Sequence, residues 1–259
     1  MSRLAVALSF FTHASPWRWP GLAFYFAGWM LCRCCGLRLF RERVLHLESF
    51  RVIGDVEGQS GLVFLHEVLV RRIYDFPALQ AARDLGLMYD VGANAGAYTL
   101  ALCAERPTLR AVSFEPHPAT FERLRRNLSL NHFEPRATAV HAAVTAASGQ
   151  CVLNISPESS MGVVATSDAQ CLDAPVGVAV EAVALDDFAR RQNTYPDLLK
   201  IDVEGFEVEV LKGARACLEH ARFVILECHS DSLVRDSLAL LHATGFTTDL
   251  AGNLVFAHR

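Results

Sequence analysis

The sequence predicts an α/β chain: a doubly wound, mostly parallel sheet ending in a C-terminal antiparallel hairpin and preceded by a helical N-terminal segment. Three observations carry this. Short apolar runs alternate with segments of helical periodicity from Met88 onward, the pattern of repeated strand–helix units packed on both faces of one sheet. A glycine-bearing turn follows the first run and an acidic residue follows the second, as in sheets that hold a nucleotide at the carboxyl ends of their strands. The 259 residues, 52% hydrophobic and 20% charged, suffice to bury a large core and exclude disordered, collagen-like and low-complexity architectures.

Residues 1–60 read as a helical, basic segment and residues 61–259 as the ligand-binding domain. The first 45 residues hold six Arg (Arg3, Arg18, Arg33, Arg38, Arg41, Arg43) and one acid, Glu42, so a head of +5 precedes a body of -9. A body of that sign argues against nucleic acid as the partner. Leu4 to Phe11 resembles a secretory signal only distantly, because a single Arg3 makes a thin basic region. Trp19 to Cys32 is 14 residues long, short of the roughly 20 that span hydrocarbon. It reads as a buried helix or as one in the membrane interface, where Trp17, Trp19, Tyr25 and Trp29 would sit beside arginines. The expected location is the cytoplasm, with peripheral membrane contact through residues 1–45; partitioning of full-length and truncated protein onto anionic vesicles distinguishes the two roles of that segment. The eight cysteines lack paired zinc-site spacings and read as reduced thiols.

Met88–Val91, Leu109–Phe114, Ala137–Val144, Leu198–Val203 and Phe223–Glu227 are the expected parallel strands. Pro118 to Leu130 places Phe121, Leu124 and Leu128 on one helical face, and Phe206 to Leu218 does the same with Val210, Leu211, Ala214 and Leu218. Residues 145–185 interrupt the rhythm as an insertion of short strands with a flexible Ser156 to Ser167 loop. Phe246–Leu250 and Leu254–Ala257 around Gly252-Asn253 form the closing hairpin. Asp186-Asp187 is expected to end a strand and open a helix, and Asn127 and Asn131 to cap helix ends.

The chemistry concentrates at Asp90-Val91-Gly92-Ala93-Asn94-Ala95-Gly96, where a strand gives way to a helix. Glycines there let backbone approach a ligand, and Asn94 tolerates a left-handed turn while offering an amide. Glu115 follows the next strand, where a carboxylate can accept both hydroxyls of a ribose. The pair points to an adenosine-containing cofactor. No G-x-x-x-x-G-K-[ST] is present for a nucleoside triphosphate, and Asn94 departs from the dinucleotide fingerprint. Asp90 would repel a pyrophosphate but balance a cation, which favours S-adenosylmethionine over NAD.

These segments, with Asn127-Leu128-Ser129-Leu130-Asn131, Ala184-Leu185-Asp186-Asp187, Lys200-Ile201-Asp202-Val203-Glu204-Gly205-Phe206-Glu207, Val210-Leu211-Lys212-Gly213-Ala214 and Leu226-Glu227-Cys228-His229, resemble in order the FkbM family of S-adenosylmethionine-dependent methyltransferases. The resemblance covers about residues 65–250. It implies a class I methyltransferase Rossmann-like fold and O-methylation of a hydroxyl on a sugar, glycan or natural product. It implies too that Asp90, Gly92, Asn94 and Gly96 border the methionine part of the cofactor and that Glu115 holds its ribose. Ala142 and Ala143, by position after the third strand, line the adenine pocket; His117 either stacks there or is a solvated loop residue.

Methyl transfer to a hydroxyl needs an aligned acceptor and help with its deprotonation. Asp202, at the carboxyl end of the fourth strand, is the first candidate for base or acceptor orienter. Glu204 is a second, although an acid entering a helix is also explained by the helix dipole. Glu227 and His229, two apart and so on one face, form a further pair for acceptor binding or proton removal, against the alternative of a polar strand end bonded to backbone. Asp202, Glu204 and Glu227 would suit a hard cation, but no spacing motif demands one, and the expected chemistry is metal-independent. The competing functions are a non-catalytic cofactor-binding or membrane-associated module on the same fold and an NAD-linked oxidoreductase.

Overall fold

Parallel strands buried on both faces must be largely apolar on both, and four short runs fit this with the buried Asp90 and Lys200 as exceptions: Leu87–Val91, Arg110–Phe114, Leu198–Ile201 and Phe223–Glu227. The computed structural model of the protein describes residues 42–47, 49–55, 59–155, 162–165 and 177–259, together with Ala23, Phe26 and Ala27. The basic head and Cys32, Cys34, Cys35 and Cys171 otherwise lie outside the described residues. In chain order the strands are β1 (Glu42–His46), β2 (Arg51–Asp55), β3 (Leu87–Val91), β4 (Arg110–Phe114), β5 (Ala137–Val140), β6 (Ala143–Val144), β7 (Gly149–Ile155), β8 (Gly162–Ala165), β9 (Gly177–Val183), β10 (Leu198–Ile201), β11 (Phe223–Glu227), β12 (Thr247–Ala251) and β13 (Leu254–His258). The described helices are α1 (Gln59–Leu69), α2 (Pro77–Ala81), α3 (Ala97–Glu105), α4 (Pro118–Leu130), α5 (Leu185–Gln192), α6 (Glu207–Lys212), α7 (Arg215–His220) and α8 (Asp231–Ala243). None of them is long and apolar enough to cross a membrane.

The main sheet has the order β12-β13-β11-β10-β3-β4-β5; β13 runs antiparallel to both neighbours and the remaining pairs are parallel. Alternation along each strand divides the core into two layers. Met88, Leu198, Phe223 and Ile225 face α3 and α4, whereas Tyr89, Leu199, Val224 and Leu226 face α5 to α8. The chain passes from β3 outward to β4 and β5, then crosses back to place β10 on the other side of β3. That reversal is the switch point at which doubly wound sheets open a crevice.

Four local expectations are corrected. Ala137–Val144 is not one strand: the chain folds at His141, where Ala142 N–H donates to Val140 O (3.1 Å) and His141 Nε2 meets Pro116 O (3.0 Å). β5 therefore stays in the main sheet while β6 joins a second sheet of order β6-β9-β7-β8. The expected 206–218 helix is two short helices, because Asp186 accepts the N–H groups of Ala216 and Cys217 (3.0 and 2.9 Å) and so caps a new start at α7. Within the segment expected to be helical, residues 42–55 form the antiparallel β1–β2 hairpin. Of the Ser156 to Ser167 loop, residues 162–165 are strand β8, paired with β7, and the rest lies outside the described residues.

Asn127 does not cap a helix end either. It is fully buried inside α4, where Oδ1 accepts Ile53 N–H (2.6 Å) and Nδ2 donates to Ala95 O (2.8 Å). Asn131, at the end of α4, repeats the device on Arg51, accepting its N–H (2.7 Å) and donating to its carbonyl (2.6 Å). The two amides act as a substitute strand that satisfies the edge of β2 and ties the hairpin to the turn after β3.

Candidate functional site

A cleft opens at the switch point, over the carboxyl ends of β3, β4 and β10. Gly92, Asn94, Glu115, Ala142, Ala143, Asp202 and Glu204 all face it. Phe64, Phe114, Pro116, Val144 and Phe206 supply an apolar wall. The fold at His141 is what brings Ala142 and Ala143 to this wall, since a continuous strand would have carried them past it.

Asp90 and Gly96 are not among the described lining residues. Asp90 is wholly buried beneath the cleft floor, accepting from Thr99 Oγ1 (2.6 Å) and lying 3.2 Å from Lys200 Nζ, its partner in the β3–β10 register. Lys200, itself 1% exposed, also donates to Gly92 O (2.9 Å). The Asp90 charge is thus neutralised by the protein's own cation, and its influence passes through Lys200 to the turn. The glycines likewise serve internal packing. A Cβ on Gly92 (φ +74°) would sit 1.7 Å from the carbonyl oxygen of Asp202, and one on Gly96 (φ +84°) would sit 2.6 Å from Leu124 Cδ1. Asn94 takes the left-handed conformation (φ 52°), with Oδ1 accepting Ala95 N–H (2.7 Å).

Glu115 is 7% exposed; Oε2 accepts Asn94 N–H and Oε1 accepts His117 N–H, both at 2.9 Å. Each oxygen keeps a lone pair for a ligand hydroxyl, so the donor set fits a ribose edge beside an apolar slot. Burial pushes the Glu115 carboxyl up to about 7, against the pull of those two N–H groups. His117 caps α4 through Nδ1 and Thr120 N–H (3.3 Å); it is not among the described lining residues.

Beyond β10 the chain makes a chamber of acids. Asp202 Oδ2 lies 3.1 Å from the Tyr74 hydroxyl and 3.6 Å from Lys200 Nζ. Glu227 Oε2 lies 2.8 Å from the same hydroxyl. His229 places Nδ1 2.7 Å from the buried Glu207 Oε1, while Nε2 is 3.1 Å from Glu204 Oε2 and 3.9 Å from Asp202 Oδ1. Glu227 and His229 are therefore bonded to side chains rather than to backbone, and they address different partners. Glu204 precedes α6 by three residues in a left-handed conformation (φ 52°), a backbone state costing about 1–2 kcal/mol in a non-glycine residue. It reaches His229, so the helix-dipole account of this residue does not hold; Glu207 and Glu209 occupy that first turn. Burial raises the Glu204 carboxyl, and the charges of Asp202 and Glu227 add to this.

The hydrogen bond to Glu207 raises His229 to about 9, with Glu204 and Asp202 assisting and burial opposing. The imidazole is charged at neutral pH and offsets one negative charge among its three carboxylate neighbours. In the unfolded chain it titrates near 6.5, so its stabilising contribution is fully present below pH 6.5 and is lost as pH rises through about 9. Melting temperature is expected to fall between pH 7 and 10 more steeply in the wild type than in His229→Gln; parallel curves would contradict the charged state. Asp202, Glu204 and His229 bring one ligand atom each within 4.8 Å of one another, the set that could hold a divalent cation.

Sequence reasoning missed Tyr74, Glu207 and Lys200. Tyr74 is 1% exposed and lies 128 and 153 positions from the carboxylates it meets, a separation that no local pattern conveys. Lys200 carried a signal: it is one of two lysines in the chain and stands in the middle of an apolar strand.

Residues 90–247, more than half of the chain, match the sequence profile of the Methyltransferase FkbM domain. The chain is 27% identical to the hexuronic acid methyltransferase AglP of Haloferax volcanii, over 81% of its own length and 79% of the relative's. It is 26% identical to the 31-O-demethyl-FK506 methyltransferase FkbM of Streptomyces tacrolimicus, over 82% and 92%. A solved S-adenosylmethionine-dependent methyltransferase from Agrobacterium tumefaciens superposes with a TM-score of 0.50 at 11% identity, over 85% of this chain and 70% of that one, and so shares the fold.

Proposed function

The chain belongs to the FkbM family of methyltransferases, and from that premise we propose that it transfers the methyl group of S-adenosylmethionine to a hydroxyl of a sugar, a glycan or a secondary metabolite. One observation carries the reading: Glu115, the Gly92–Asn94 turn and Asp202 open onto a single cleft at the switch point of the sheet. When bound there, the cofactor supplies an electrophilic methyl group on a sulfonium. Glu115 holds the ribose hydroxyls, the turn contacts the methionine part, and Ala142 and Ala143 with Phe206 enclose the adenine. Asp202 orients the acceptor hydroxyl and takes its proton. Glu204, His229 and Glu227 shape the acceptor side.

The printed names of two relatives, one acting on a hexuronic acid and one on a 31-O-demethyl compound, support a sugar-like or oxygen acceptor. The chemistry proposed is metal-independent, since no spacing motif in the sequence demands an ion. Cytoplasmic placement, with membrane contact through residues 1–45, is supported by the Arg- and Trp-bearing sequence of that segment.

Isothermal titration with S-adenosylmethionine tests the reading, with NAD as control and with and without chelator. Binding of S-adenosylmethionine alone, indifferent to chelator, is expected. Glu115→Gln removes a charged acceptor, a loss of about 1.5–3 kcal/mol or roughly 10–150-fold in Kd. Because the Glu115 carboxyl titrates near 7, wild-type affinity is expected to fall as pH drops from 8 to 6, and this slope should vanish in the variant. No binding by folded protein, or an unchanged Kd in Glu115→Gln, overturns the assignment.

A further inference from the structure

A second cavity opens between the turn joining β1 to β2, the end of α1 and one face of α3. Leu47 and Phe50 line it from the turn, Val68 and Leu69 from α1, and Ala101 and Leu102 from α3. It shares no described lining residue with the cleft at the switch point. Apolar walls with one or two placed polar groups are the usual composition of a small-molecule site.

One polar side chain in this wall is incomplete. Tyr98 lines the cavity from the first turn of α3 and is 4% exposed, yet its hydroxyl has no hydrogen-bond partner among the described residues. A buried donor left unmade is costly, and most such groups in folded proteins are satisfied. Two carboxylates line the same cavity, but both are committed to Arg72. Glu105 takes Nη1 on Oε1 (2.6 Å) and Nη2 on Oε2 (3.0 Å), while Asp75 Oδ2 takes Nε and the Gln80 amide (3.2 Å). Burial first, and then the charges of Asp75, Asp90 and Glu105, push the Tyr98 hydroxyl well above its usual range, so it remains a donor.

We propose that this cavity is a binding site for a compact, uncharged apolar molecule bearing one acceptor oxygen, such as a ketone, an ether or an ester, to which Tyr98 donates. Each part of that class follows from the wall. The apolar side chains call for hydrocarbon, and the phenol supplies a single hydrogen, so one acceptor oxygen completes it. An anion is disfavoured because the only cation lining the cavity among the described residues, Arg72, already faces two carboxylates. A cation is disfavoured because those carboxylates are paired and the remaining wall would strip its hydration. On its inner side Tyr98 meets Tyr74 edge to face at 5.3 Å, so the site adjoins the acid chamber without belonging to it. The proposal goes beyond the methyltransferase reading and does not depend on it.

The test is a methyl-detected NMR titration of the full-length protein with cyclohexanone. Methylcyclohexane serves as nearly the same shape without the oxygen, and cyclohexanecarboxylate as a charged counterpart. Cyclohexanone is expected to give saturable shifts at the methyls of Leu47, Val68, Leu69 and Leu102, and the carboxylate none. Tyr98→Phe should weaken cyclohexanone by about 2–10-fold, the value of one neutral hydrogen bond, without weakening methylcyclohexane. Its melting temperature should be no lower than that of the wild type, because the hydroxyl it removes makes no bond within the protein. Ala101→Phe fills the cavity and should abolish the cyclohexanone shifts.

No saturable shift in wild type, or equal cyclohexanone affinity in wild type and Tyr98→Phe, overturns the site. Carboxylate binding as tight as that of the ketone overturns the uncharged class. A lower melting temperature in Tyr98→Phe overturns the open donor, and cyclohexanone binding retained in Ala101→Phe places the probe elsewhere and overturns the cavity as its site. Tyr98→Phe carries the test should Ala101→Phe fail to fold. Titration of the same samples with S-adenosylmethionine reports on the cleft separately, so failure of one reading is distinguishable from failure of the other.

Discussion

Asp202→Asn is expected to reduce methyl transfer by about two to four orders of magnitude, the range supplied by a positioned general base, while S-adenosylmethionine affinity stays within a few-fold of wild type. The amide has nearly the shape of the carboxylate and can still meet the Tyr74 hydroxyl, but it cannot take a proton. Its backbone is already anchored, with Asp202 N–H donating to Val91 O (3.0 Å), so the loop need not move. Formation of S-adenosylhomocysteine in the presence of a hydroxyl acceptor is the quantity to follow, beside the binding titration. Loss of affinity with turnover preserved would make Asp202 a cofactor ligand and shift the base to His229 or Glu204. His229 is the less suitable base at neutral pH, because Glu207 holds it protonated up to about 9.

Gly92→Ala is expected to have the largest effect on stability. The residue is left-handed, and its added Cβ would lie 1.7 Å from a backbone oxygen of the β10 loop. The conformation costs about 1–2 kcal/mol for alanine, and forcing the loop away adds about 1–3 kcal/mol. The sum, about 2–5 kcal/mol, corresponds to a fall in Tm on the order of 5–15 °C for a chain of this size. Gly245→Ala is the control: its φ is +87°, yet no heavy atom lies within 4 Å of the added Cβ, so it reports the backbone cost alone. Equal melting temperatures for the two variants would mean that contact with the Asp202 carbonyl does not constrain the turn. Cofactor affinity should fall with Gly92→Ala as well, because the displaced carbonyl belongs to a residue that lines the cleft.

The two substitutions probe one arrangement from opposite sides. Lys200 bonds Gly92 O and pairs with Asp90 and Asp202, so the turn after β3 and the loop after β10 share one buried cation. Buried pairs of this kind contribute little net stability but are costly to break on one side. Their consequence here is geometric, since they fix the edge of the cleft against the edge of the acid chamber. Methyl transfer requires those two edges in register, because an in-line displacement tolerates little misalignment.

Much of the scaffold was legible from local patterns. Phe223–Glu227 and Pro118–Leu130 fall where their periodicity put them, and the closing hairpin is displaced by one residue. Glycine and acid spacing pointed to Gly92, Asn94 and Glu115, and all three line one cleft. The misplaced elements share a cause. The fold at His141 depends on Pro116, 25 residues earlier, and the break between α6 and α7 depends on Asp186, 30 residues earlier. Asn127 resembles a cap by composition, but its partner is a hairpin 74 residues away.

The amino-acid sequence by itself determined the sheet, the glycine turn and the family, because strand alternation, helical period and turn chemistry act over a few residues and leave a local trace. Only the tertiary structure decided what those residues do for one another. It withdrew Asp90 from the cleft by pairing it with Lys200, gave Gly92 to the Asp202 carbonyl, aimed His229 through Glu207, and set Tyr74 between two acids. Each of these is a contact between groups distant in the chain, made where burial leaves a charge or a hydroxyl no partner but the one the fold supplies.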